Sequence, residues 1–204
     1  MRYISARQMI FDAYHEQRGS VMAYAQEIAR MGAQVQTTQR NNNDWRIVNG
    51  LEAGAVISAV ENQPVHLAAL ARYCFGPFTK DELAEDREWL HTALMQTAMT
   101  MRLPGQGQNE RPPAEAVSQL RWIVSAAIHH HAETTYPYNR PGLHNPKRVA
   151  AWIELEHGEV MDVRRWSAHG RTCWRGVWER LLDTLDRWES GSLAPVAALI
   201  IKAA

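Results

Sequence analysis

The 204-residue chain sets 22 basic against 22 acidic side chains, with 46% apolar and 22% charged content, the profile of a globular protein long enough for one ordinary domain or two small ones. A formal charge of zero excludes the strongly basic balance of a protein that coats nucleic acid through bulk electrostatics, so any such contact must be local. Cys74 and Cys173 are too few for a disulfide framework and no secretory signal is legible, which points to buried free thiols and the cytoplasm. The longest apolar run, Leu193 to Ile201, is about half of the roughly 20 residues that cross a bilayer and is interrupted by Pro195, so no membrane partner is expected.

Ser5 precedes a helical repeat of Met9, Ile10, Ala13 and Tyr14, which predicts a helix from Ala6 to Arg18, stopped by Gly19. Ser20 caps a second predicted helix, Val21 to Met31, and the two form a hairpin. The aperiodic polar stretch from Gln36 to Asp44 reads as a loop. Trp45 to Val60 fits helix or strand, and its alanines favour helix. Pro64 opens a further helix to Ala71, broken by Gly76 and Pro77. Thr79 to Glu82 is a capping box that predicts a helix to about Met101, with Leu83, Trp89, Leu90, Ala93, Leu94 and Thr97 along one stripe. Pro104 to Pro113 is rich in Gly and Pro and divides the chain into residues 1–103, a linker 104–113 and residues 114–204.

Beyond this linker a helix is predicted from Ala114 to His131, followed by an irregular connection from Thr135 to Pro146. Asn145 and Pro146 then place a cap and a first-turn proline before a helix from Lys147 to Glu156, with Gly158 as its stop. A short helix from Asp162 to Ala168, a turn at Gly170 and a long helix from Arg171 to Trp188 complete the pattern. Strand alternation is scarce. The expected fold class is all-α, with a helical N-terminal part and a Trp-rich, helix-turn-helix-like C-terminal part; a single bundle is the alternative.

Five of the eight tryptophans, Trp152, Trp166, Trp174, Trp178 and Trp188, surround Arg164, Arg165, Arg171 and Arg175, with no acid between the first and last arginine. Trp174, Trp178, Leu181, Leu185 and Trp188 share one helical stripe, which favours core over base stacking; Trp166, beside the arginine pair, is the candidate for exposure. Arg171 and Arg175, one turn apart at the start of a helix, suit base contacts in a major groove, while Arg164 and Arg165, and Lys147 and Arg148 at the preceding helix start, suit phosphates. A solvated or protein-binding face is the competing reading. His129, His130 and His131 are consecutive and point about 100° apart, so no more than two could share a metal with His144 or His157, and His169 with Cys173 lacks a second ligand pair. His131 near a helix end reads as a dipole partner, and the acidic run Glu82, Glu85, Asp86 and Glu88 beside His91 as a helix N-terminus. No cofactor is called for, and the familiar catalytic motifs are absent, so an enzyme is not expected.

The segment from Thr172 to Glu189, Thr-Cys-Trp-Arg-Gly-Val-Trp-Glu-Arg-Leu-Leu-Asp-Thr-Leu-Asp-Arg-Trp-Glu, resembles the tail of the Q-type late-gene antiterminators of lambdoid phages over about 30 residues. The resemblance implies a protein that binds DNA near a promoter and loads onto RNA polymerase in a bacterial cytoplasm, with Arg171 and Arg175 facing DNA. The four-cysteine zinc finger of the lambda type is missing. The expected function is a non-enzymatic phage-type transcription regulator. The alternatives are a helical adaptor or inhibitor of one host protein, using the same Trp/Arg surface, and a small terminase-like packaging subunit.

Overall fold

Ser5 opens the first helix, its Oγ accepting the Gln8 N–H at 3.3 Å, as the Ncap role requires. In the computed structural model, which describes residues 5–16, 44–108, 110–135, 138–163, 166–167 and 172–203, α1 covers 6–16 and buries the four residues of its predicted face, Met9, Ile10, Ala13 and Tyr14. The predicted helix Val21 to Met31, the end of the first one and all but Asp44 of the polar loop lie outside the described residues. The described residues form helices and turns, with no strand, so the chain is all-α.

The ambiguous Ala-rich stretch is helical, as α2, Asp44–Glu61. It is followed by α3, Val65–Phe75, which starts after Pro64 but continues four residues past the expected end at Ala71. The continuation is held by burial of Cys74 and Phe75, and Gly76 then ends it. The capping box forms: Thr79 N–H donates to Glu82 at 2.8 Å and Glu82 N–H to Thr79 Oγ1 at 3.4 Å. Regular helix nevertheless begins only at Ala84, as α4, Ala84–Met99. Leu83, Leu90, Leu94 and Ala98 are buried there, whereas Trp89, expected on this stripe, is 49% exposed. The buried line of α4 is Asp86, Leu90, Leu94 and Ala98, each four apart, and Trp89 stands one residue, about 100°, to the side of Leu90.

Asp86 belongs to a polar network centred on Arg72. Arg72 donates to Asp86 through Nε at 2.9 Å and Nη2 at 2.5 Å, and to Glu61 through Nη1 at 2.6 Å, while Tyr14 Oη donates to Glu61 at 2.5 Å. One guanidinium thus ties α1, α2, α3 and α4 together with bidentate geometry. Burial and the Glu61 carboxylate push the Tyr14 phenol well above its usual range.

After an irregular segment bound by Gln106, which accepts Leu103 N–H at 2.9 Å and donates to Glu110 O at 2.8 Å, the chain enters α5, Ala114–Thr134. It then forms α6, Pro146–His157, and α7, Trp174–Ala203. Asn145 caps α6 by accepting Arg148 N–H at 2.9 Å, and Gly158 ends it at φ 70°, a left-handed conformation suited to glycine. Of the expected short helix from Asp162 to Ala168, Val163 is described in 3-10 conformation and Trp166 and Ser167 in a turn. Arg164, Arg165, Ala168 and the expected turn at Gly170 lie outside the described residues.

The last helix runs past the expected end at Trp188 and straight through Pro195. An interior proline costs about 3 kcal/mol, and the packing of Leu193, Val196, Ala197 and Ile200 against the core offsets it at roughly 1.5–3 kcal/mol for each large apolar side chain fully buried. With this length α7 contacts α2, α3, α4 and α5, whereas α6 packs on α5. Helices on both sides of 104–113 share one hydrophobic core.

Candidate nucleic-acid interface and ligand cleft

Trp174, Trp178, Leu181 and Leu185 are buried, as their stripe requires, and Trp188 is half-buried against His66 with ring centroids 4.7 Å apart. Trp166 is buried too, contrary to its expected exposure: its ring packs on Trp178 at 5.8 Å and its carbonyl accepts Arg175 N–H at 2.9 Å. The bridge caps the start of α7 and places the indole inside. The tryptophans here build the corner and leave its charge outside.

Arg175 stands on the first turn of α7, fully exposed, with Nε 2.8 Å from Glu179 Oε1 one turn on. Lys147 and Arg148 are exposed on the first turn of α6, above the Asn145 cap. Arg164, Arg165, Arg171 and His169 lie outside the described residues. The expected DNA-facing cations that are described therefore occupy two helix starts, where the helix dipole also favours anions.

The three consecutive histidines separate as their spacing demands. His129 stacks on Trp152 of α6, with centroids 4.7 Å apart and planes 16° apart. His130 faces His144 and Trp178, and its Nδ1 accepts Leu143 N–H at 2.7 Å. His131 points to α7, with Nε2 3.0 Å from Glu189 Oε2. His131 lies in the last turn of α5, where the dipole reading expected it, and also meets the Glu189 carboxylate. Burial presses the Glu189 carboxyl upward, but His131 and Arg7 hold it below the usual carboxylate range. Burial lowers His130 to about 4, so near neutral pH this ring is an acceptor. Among the described residues no group of three or more His, Cys, Asp or Glu side chains converges as a metal site. Cys74 is a buried free thiol pushed up by burial, and Cys173 is a partly buried one.

A cleft of about 280 Å³ opens where the end of α3, the 76–83 connection, α5 and α6 meet. Tyr73, Phe78 and Trp152 supply rings; Lys80, Arg87 and Arg140 supply cations; Glu133 and Glu156 supply carboxylates. Arg140 is committed to Glu133 at 3.3 Å and lies over the Tyr138 ring at 5.0 Å. Lys80 and Arg87 are exposed and have no carboxylate partner among the described residues. His129 and His157 close the floor, both lowered by burial. His157 is held between Trp122, at 4.5 Å, and Trp152, at 5.4 Å. Its Nε2 is enclosed without a hydrogen-bond partner among the described residues. Burial raises the Tyr73 phenol to about 12.

None of these lining residues stands out as a motif, because they come from six separate segments. One signal was present: Trp122 and His129 are seven apart on α5, so this pair lies on one side of its helix. Comparison of the chain with protein-family models, with curated proteins and with solved structures finds no match.

Proposed function

We propose that this chain is a non-enzymatic, phage-type transcription regulator of the antiterminator class, acting in the cytoplasm of a bacterial host. In this reading it holds DNA at the helix starts of α6 and α7 and engages RNA polymerase through a separate protein surface. The observation that carries the reading is the exposure of Lys147, Arg148 and Arg175 on two helix N-terminal turns, joined in sequence by the acid-free arginine run from Arg164 to Arg175. The Arg175–Glu179 pair is a solvent-exposed contact along one helix. Such pairs are weak in water and exchange readily for a phosphate.

Fluorescence anisotropy on labelled duplex DNA across a salt series tests this. Reversing Lys147, Arg148 and Arg175 to Glu removes up to three phosphate contacts and lowers the salt slope by about 2–3, at about 0.9 per contact; Arg111→Glu, on the exposed segment before α5, leaves it unchanged. Equal slopes for both variants overturn the assignment. Recovery of RNA polymerase from nuclease-treated bacterial lysate is the expected companion result.

A second reading, an adaptor that binds one protein, is favoured by different residues from those first expected. Leu155 is 84% and Val160 82% exposed around the end of α6, an apolar pair that a protein partner could cover. A salt-insensitive complex lost in Leu155→Glu selects this reading.

A further inference from the structure

The cleft between α5, α6 and the 76–83 connection combines features that a solvated surface has no reason to combine. Its rings come from Tyr73, Phe78 and Trp152, and its polar groups converge from four elements. With His129 and His157 neutral, three cations face two carboxylates. Because Arg140 is engaged by Glu133, the cations left for a ligand are Lys80 and Arg87, and the carboxylate left is Glu156. Two cations from different elements suit a dianion better than a single carboxylate. A carboxylate beside aromatic rings suits a planar heterocycle that carries N–H donors.

We propose that this cleft binds a single nucleotide, its base against Trp152 and Tyr73 with N–H groups toward Glu156, and its phosphate on Lys80 and Arg87. The volume of about 280 Å³ lies at the lower edge of the roughly 300–1,000 Å³ of ligand pockets. It admits one base with its sugar and phosphate at the mouth and excludes a duplex. A free mononucleotide and an unstacked nucleotide in a single strand share this chemistry. The proposal rests on the cleft and not on the duplex-binding helix starts.

The test is calorimetric titration of the full chain with AMP, GMP, CMP and UMP, with inorganic phosphate, adenosine and L-tryptophan as controls, and with a short single-stranded oligonucleotide in parallel. At least one mononucleotide binds saturably, and at least tenfold more tightly than phosphate, adenosine or L-tryptophan. Lys80→Ala and Arg87→Ala, both at exposed positions, each weaken it at least fivefold at an unchanged melting temperature. Glu156→Gln changes the ranking of the four bases, and Arg111→Ala changes nothing. Tighter binding of the mononucleotide identifies a free nucleotide as the ligand, and tighter binding of the oligonucleotide identifies a strand. Absence of saturable binding by every mononucleotide and the oligonucleotide, equal binding of phosphate or L-tryptophan, or indifference to both cation variants overturns the proposal. Loss of duplex binding in the triple Glu variant with an intact nucleotide site separates the two assignments, as does the converse.

Discussion

Replacing His130 with Asn removes a titrating ring while keeping an acceptor oxygen near the position of Nδ1, and so isolates one term in the acid stability of the fold. The wild-type ring is 9% exposed, accepts Leu143 N–H at 2.7 Å and is wrapped by Gly142, where a Cβ would stand only 2.4 Å from Nδ1. Burial, followed by the neighbouring His144, His131 and His129, lowers its pKa from the ordinary 6.5 to about 4. The unfolded chain therefore binds the extra proton first. The stabilising contribution is complete above the unfolded value and disappears as pH falls from 6.5 toward 4. At about 1.4 kcal/mol per unit the upper bound is about 3 kcal/mol, and with water screening the open side of the ring about 1.5 kcal/mol is expected. Urea unfolding of both proteins between pH 7.5 and about pH 4.5 measures this directly. The shifts of His66, His129, His157 and Glu189 remain in both proteins and cancel in the comparison. The wild type should lose about 1.5 kcal/mol more than the variant over this range, with matching slopes above pH 7. Parallel curves throughout would refute the burial and acceptor roles given to His130.

Two further predictions concern stability alone. Arg72→Leu leaves the buried Asp86 carboxylate without its bidentate partner and takes the cation from the Glu61 carboxylate that Tyr14 also binds; a loss of about 3–5 kcal/mol is expected, read from the denaturant midpoint, and Arg72→Lys should recover only part of it. Asn145→Ala removes the acceptor for Arg148 N–H and should cost about 1 kcal/mol, whereas Asn145→Ser should cost less than half of that; equal losses in thermal unfolding would show that the cap contributes little.

The helical class and most helix boundaries are local properties, and the sequence by itself determined them. Asn145, Pro146 and Gly158 mark α6 at both ends because capping and left-handed backbone depend on nearest neighbours, and the face of α1 follows from its period alone. What tertiary structure decided is where each face points and which distant groups meet. Trp166 reads as exposed beside arginines until its packing on Trp178 turns it inward. Trp89 reads as core until packing selects the line Asp86, Leu90, Leu94 and Ala98, one residue to its side. Trp188 reads as the end of the last helix until the packing of Val196 and its neighbours carries it on through Pro195. The cleft was the least legible feature, since the stretch with Tyr73, Lys80 and Arg87 is far in the chain from His129 and Trp152, and they become neighbours only when α3, α4, α5 and α6 pack together. Short-range signals are set by backbone sterics and single hydrogen bonds, while a site assembled from several helices depends on the sum of many weak contacts that no one segment carries.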